Sequence, residues 1–230
     1  MKKLGLVGGT GPESTLTYYK ELNRIINEKT DGKAFPELVI DSVDLLKLVP
    51  LLKEEKYDEV IAYLSQSVKH LVECGADYVA FTAVTCHIVF DEVAKNCAVP
   101  MVGIPKATAL YALEKGYRKV GLLGTIFTMD NDYMSCAFTD EGIDVIVPTS
   151  DEKKIVSDII YSEFEYCIFK QESINKIIDV INRMKQEEKI EAVILGCTEL
   201  PLAINDTNSP VACIDTVKVH IDSLVSKIME

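Results

Sequence analysis

The chain has 230 residues, 48% of them hydrophobic, and 36 acidic against 24 basic side chains give it a formal charge of -12. That length builds one large domain or two small ones with a real core. The charge argues against nucleic acid or an anionic membrane as partner, although backbone N–H groups can still bind a small anion. No run reaches the length of a membrane span, and Gly5, Gly8, Gly9 and Gly11 interrupt what would be the apolar stretch of a signal peptide. Seven cysteines without metal-like spacing suit reduced thiols, so a cytoplasmic setting is expected.

In chain order, strands and helices alternate. Lys3 to Val7 reads as a short strand, and Gly8-Gly9-Thr10-Gly11-Pro12-Glu13-Ser14-Thr15 as a turn feeding a helix with Leu16, Tyr19, Leu22, Ile25 and Ile26 at helical spacing. The turn lacks the GxGxxG pattern and no Walker lysine follows, which disfavours nucleotide binding. A strand from Leu38 to Ile40 ends at Asp41-Ser42, and Lys47 and Lys53 beyond it could reach into a site there, with a surface helix as their expected home. A long amphipathic helix then carries Val60, Ile61, Leu64, Val68, Leu71 and Val72, with Gly75 as its C-cap. Tyr78–Phe81 is a core strand that ends in Thr82-Ala83-Val84-Thr85-Cys86-His87, and Pro100 to Ile104 is a further strand.

The second half repeats the pattern. Lys119-Val120-Gly121-Leu122-Leu123-Gly124-Thr125 echoes the first strand and its turn, and strands follow at Ile143–Val147, Ala192–Leu195 and Pro210–Asp215. Helical patterns lie near 152–166 and at Ile174, Ile177, Ile178, Ile181 and Met184. From Lys119 to Cys197 is 78 positions, and 80 from Lys3 lies Ala83, at the matching strand end. The expected fold is therefore α/β: two pseudo-symmetric lobes, each a mostly parallel sheet flanked by helices, with a ligand cleft between them. The expected division gives 1–104 plus 210–230 to an N-terminal lobe and 105–209 to a C-terminal one.

Gly196-Cys197-Thr198-Glu199-Leu200 is the most informative stretch. It follows the apolar run Ala192–Leu195, and ligands of open α/β sheets bind outside the carboxyl ends of strands. A thiol there faces free N–H groups that would favour a thiolate. Cys197 is thus a candidate acid/base or nucleophile.

Four motifs in order give the whole chain a resemblance to the aspartate/glutamate racemase superfamily of cofactor-independent amino-acid racemases. They are Gly8–Thr15, Leu123-Gly124-Thr125-Ile126-Phe127-Thr128-Met129, Gly196-Cys197-Thr198-Glu199-Leu200-Pro201, and Asp215-Thr216 with His220. The resemblance implies a homodimer and a two-base mechanism that uses neither metal nor pyridoxal phosphate. Inverting a carbon centre requires a group on each face, and the substrate carboxylate needs convergent donors. Thr85, Thr125, Thr128 and Thr198 stand at strand ends suited to that, although each could equally cap a helix. Gly9, Thr10, Ser42, Ala83, Val84 and Glu199 complete the expected substrate-binding set.

The chain departs from the family at its first catalytic motif, where a Cys or Thr is followed by Asn, Thr, any residue and His. Here the residues are Ala83-Val84-Thr85-Cys86-His87, so the first position cannot carry a proton. Thr85 and Cys86 are the candidate substitutes. The resemblance also implies a lysine around 163–167, where this chain has Glu163-Phe164-Glu165-Tyr166-Cys167. The expected function is racemisation of aspartate or glutamate with Cys197 as one base. The alternatives are a single-cysteine enzyme resembling arylmalonate decarboxylase, and a non-catalytic protein that binds a small carboxylate.

Overall fold

A computed structural model describes residues Met1 to Glu230. The chain divides into two compact units, Met1–Ile104 with His220–Glu230, and Pro105–Val219.

In the first unit, β1 (Leu4–Gly8) is followed by α1 (Pro12–Lys29), β2 (Leu38–Ser42), α2 (Leu45–Lys53), α3 (Tyr57–Glu73), β3 (Tyr78–Phe81), α4 (Phe90–Lys95) and β4 (Met101–Val102). All pairings are parallel, in the order β2-β1-β3-β4. β1 is buried along its whole length, as a central parallel strand must be when helices cover both faces. α3 lays Val60, Leu64, Val68 and Leu71 inward, at the spacing of one helical face. It stops at Gly75, whose φ of 82° lets the Gly75 and Ala76 N–H groups bond back to Val72 and Leu71.

The second unit begins with α5 (Ile104–Glu114), whose first residue belongs to unit one, and continues through β5 (Lys119–Leu123), α6 (Ile126–Asp130), α7 (Ser135–Thr139), β6 (Asp144–Ile146), α8 (Ser150–Ser162), α9 (Gln171–Arg183), β7 (Ala192–Leu195), α10 (Leu200–Ala203) and β8 (Ala212–Asp215). Its sheet is also parallel, in the order β6-β5-β7-β8. Its core joins Phe164, Ile177, Ile181, Met184, Val193, Leu195 and Leu200, each worth about 1.5–3 kcal/mol of apolar transfer. α11 (Thr216–Met229) starts in this unit and returns the chain to the first.

The two units therefore share one topology. Gly5 faces Val79 across the β1–β3 pair, and Gly121 faces Val193 across β5–β7. Counting the same distance on from Val79 and Val193 reaches Ala83 and Cys197, so these two occupy equivalent positions.

Two sequence expectations need correction. Residues 210–219 do not join the N-terminal lobe: β8 hydrogen-bonds to β7, which commits it to the second sheet, and only His220 onward returns. The strand expected over Pro100–Ile104 is just Met101–Val102, because Ile104 already opens α5. The helix expected at Lys47 and Lys53 is α2, Leu45–Lys53, which tolerates Pro50 inside it and is held by the Asp44 N-cap and by burial of Leu48 and Leu52.

Candidate functional site

Each unit carries its own set of groups at its strand ends. In the second unit, β7 delivers Cys197 to the loop before α10, at the edge of the core, where it keeps partial exposure. Its Sγ donates to Glu199 Oε2 at 2.7 Å, and Thr198 Oγ1 donates to Glu199 Oε1 at 2.6 Å. Both carboxylate oxygens of Glu199 are thus engaged by its own neighbours. Gly196 permits the tight exit from β7, since a Cβ there would stand 2.8 Å from the Leu123 carbonyl oxygen.

The thiolate expected at position 197 is not what this environment favours. Burial raises the thiol's pKa well above its ordinary value, and the charges of Glu199 and, more weakly, Glu165 push the same way. The Glu199 backbone N–H does point at the sulfur and lowers the pKa, as expected of a loop feeding a helix, but it is outweighed. Cys197 is therefore a protonated thiol and a hydrogen-bond donor.

Thr125 caps α6, its Oγ1 accepting from the Thr128 N–H at 3.4 Å. Thr128 is buried and accepts from Tyr133 Oη at 3.1 Å. Capping thus explains Thr125, and Thr198 serves Glu199. Glu165 lies in the 163–167 stretch where the resemblance implies a lysine, while no sequence signal marked Tyr161; the fold brings both near Cys197, and Tyr161 also lies close to Thr125. Both come from α8 and the turn after it, distant in sequence from Cys197.

In the first unit, the turn after β1 packs against the end of β2. Gly9 has φ 83°, and a Cβ there would collide with the Val43 carbonyl oxygen and Ser42 Oγ, so Gly9 and Ser42 are brought together. Thr10 Oγ1 is buried and lacks a hydrogen bond of good geometry, although it lies near enough to the Cys86 thiol to hold that group's pKa down slightly. Cys86 itself is buried, and desolvation pushes it up to about 12. A thiol so placed is an inert one. Ala83 and Val84 are buried, while Thr85 stays partly exposed at the first turn of a short 3-10 helix.

His87 is structural. Its Nε2 accepts from the Ile104 N–H at 2.9 Å, which leaves Nδ1–H to donate to the Ala83 and Val84 carbonyls at 3.0 and 3.1 Å. It stacks on Phe90, and burial lowers its pKa to about 4. His220, on α11, is equally buried: Tyr18 Oη donates to its Nδ1 at 2.6 Å and its Nε2 donates to the Val102 carbonyl at 3.0 Å.

Comparison with known proteins gives a consistent set of matches. The family model described as Asp/Glu/Hydantoin racemase matches residues 7–224. The structure of an aspartate racemase homologue from Pyrococcus horikoshii OT3 is 39% identical, with full coverage of both chains and a TM-score of 0.90. The aspartate racemase of Picrophilus torridus, 21% identical, shares the fold with a TM-score of 0.76 over all of this chain and 95% of that one. A glutamate racemase from Limosilactobacillus reuteri (strain DSM 20016) is 27% identical over 103 residues, which span 45% of this chain and 37% of that protein's length. No helix of the structure is long and apolar enough to cross a membrane.

Proposed function

The chain belongs to the Asp/Glu/Hydantoin racemase family, and from that premise we propose that it moves the proton on the carbon beside the carboxylate of a small amino acid, with aspartate and glutamate as the reference substrates. Cys197 is the group that exchanges the proton. The observation that carries this reading is the 2.7 Å bond from Cys197 Sγ to Glu199 Oε2 at the end of β7, which presents an oriented S–H at a strand end. A homodimer and chemistry without metal or pyridoxal phosphate are carried into the same proposal from the family.

A second reading is favoured by the other strand end. The position equivalent to Cys197 is Ala83, and the neighbouring Cys86 is buried with a pKa near 12. Proton transfer from one face, as in an enzyme that protonates a carbanion after loss of carboxylate, needs only the one thiol.

Incubation with L- and D-aspartate, glutamate and neutral amino acids in deuterated water separates these readings, with Cα exchange followed by NMR and configuration by chiral chromatography. Exchange with inversion supports racemisation, and exchange with retention supports the one-face reading. Loss of either signal in Cys197→Ser ties it to the thiol. Absence of exchange with every amino acid overturns the amino-acid proposal, and a malonate-type acid is then the substrate to try.

A further inference from the structure

Glu199 lies beside the thiol, and the charges that act most strongly on the sulfur are acidic. Neither Glu199 nor Glu165 forms an ion pair, and the three arginines offer no help. Arg24 is paired with Glu21 and Glu28, Arg183 with Glu152, Glu187 and Glu188, and Arg118 lies at the start of β5. The groups facing the sulfur are thus Glu199 on its own loop, Glu165 from the turn after α8, and the Tyr161 phenol from α8. Two are acids and the third is neutral at ordinary pH.

The 2.7 Å contact also has a direction. A carboxylate can only accept, so the hydrogen between the two groups belongs to sulfur. The second oxygen is fixed by Thr198 Oγ1 at 2.6 Å, so the carboxylate cannot swing away without losing that bond as well. Resting on the reading of Cys197 given above, we infer that Glu199 is a positioning residue for that thiol: its carboxylate, braced by Thr198, accepts the thiol's hydrogen and fixes where that hydrogen points.

The chemistry follows. When a carbanion forms on the substrate, the S–H bond breaks as a C–H bond forms, and the carbanion's electron pair becomes that new bond. The thiolate left behind stands against two carboxylates, so it recovers a proton from water readily, and Glu199 again accepts from the restored S–H. In the opposite direction the same repulsion makes the resting thiol a poor base. A ligand that brings a positive group, such as an ammonium, beside Glu199 relieves the repulsion, which couples substrate arrival to activation.

The test measures alkylation of Cys197 by iodoacetamide as a function of pH, with the modified peptide quantified by mass spectrometry so that the other six cysteines do not interfere. Only thiolate reacts, so the midpoint reports the thiol directly. The wild-type protein should show a midpoint above 9. Glu199→Gln should lower it by roughly one to two units, making alkylation at pH 8 about tenfold faster or more, whereas Glu199→Asp, which keeps the charge, should stay closer to wild type. Thr198→Val frees one oxygen and should move the midpoint in the same direction by less, which also covers the case of a Gln variant that does not fold. A midpoint unchanged in the Gln and Val variants, or one below 8 in wild type, overturns the inference. Cα exchange by the wild-type protein reports separately on the reaction. Silence there with a shifted midpoint would remove the catalytic proposal and leave the role of Glu199 intact.

Discussion

Lowering the pH from 7.5 to 5 should destabilise the first unit through its two buried histidines, and the size of the effect can be worked out. In the folded state burial holds His87 at about 4 and His220 at about 3, against an ordinary value of 6.5. Both are depressed, so the unfolded chain binds protons first: stability is complete above about pH 6.5 and falls as the pH drops towards the folded values. Each histidine then costs about 1.4 kcal/mol per pH unit, so at pH 5 the pair removes about 4 kcal/mol, a large share of an ordinary domain's total. The carboxylates held low in the folded state, Glu152, Glu163, Glu172 and Glu191, lose their contribution only below the ordinary carboxylate range and add little in this window. Urea unfolding at half-unit steps from pH 7.5 to 5 measures the slope, and in His220→Gln the slope should halve even if the baseline drops with the Tyr18 bond. A flat profile, or an unchanged slope in both His220→Gln and His87→Gln, would refute the assignment of these rings as neutral buried acceptors.

Further outcomes follow from other contacts. Gly9→Ala forces a Cβ against the Val43 carbonyl at a left-handed φ, and should cost about 1–3 kcal/mol in urea unfolding. Arg183 grips both oxygens of Glu152, at 2.6 and 2.8 Å, while Glu152 closes the capping box of α8; Arg183→Lys keeps the charge but loses the fork, and a thermal melt should fall by the few degrees that about 1 kcal/mol represents. Ala83→Cys with Val84→Asn should raise inversion relative to exchange with retention, scored by chiral chromatography of material exchanged in deuterated water. No gain in a folded double variant would count against two-face chemistry.

The duplication is legible because buried parallel strands tolerate little besides Val, Leu, Ile and Gly, so Lys3–Gly8 and Lys119–Gly124 keep the same signature. Long helices such as α3 and α9 declare themselves by one-sided burial. α2 is legible as a helix around Lys47 and Lys53, and it survives Pro50, which removes a donor, by burying Leu48 and Leu52. The allegiance of β8 is hidden, because a four-residue strand can serve either sheet until hydrogen bonding to β7 decides. At the site, the strand-end position of Cys197 is evident from sequence, but its protonation is not. The Glu199 N–H and the Glu199 carboxylate act on the sulfur in opposite directions, and only coordinates say how burial and Glu165 tip that contest.

The interrupted course of the first unit has a consequence for how the molecule is made. Tyr18 and His220 are 202 residues apart in sequence, and all of the second unit is synthesised between them. A nascent chain can therefore complete the continuous half while the discontinuous half still lacks the helix that supplies His220, along with the Lys2–Ile228 backbone bond. Until α11 emerges, Tyr18 of α1 has no imidazole to meet. The order of biosynthesis is thus written into the topology, with the inserted half first and the enclosing half last.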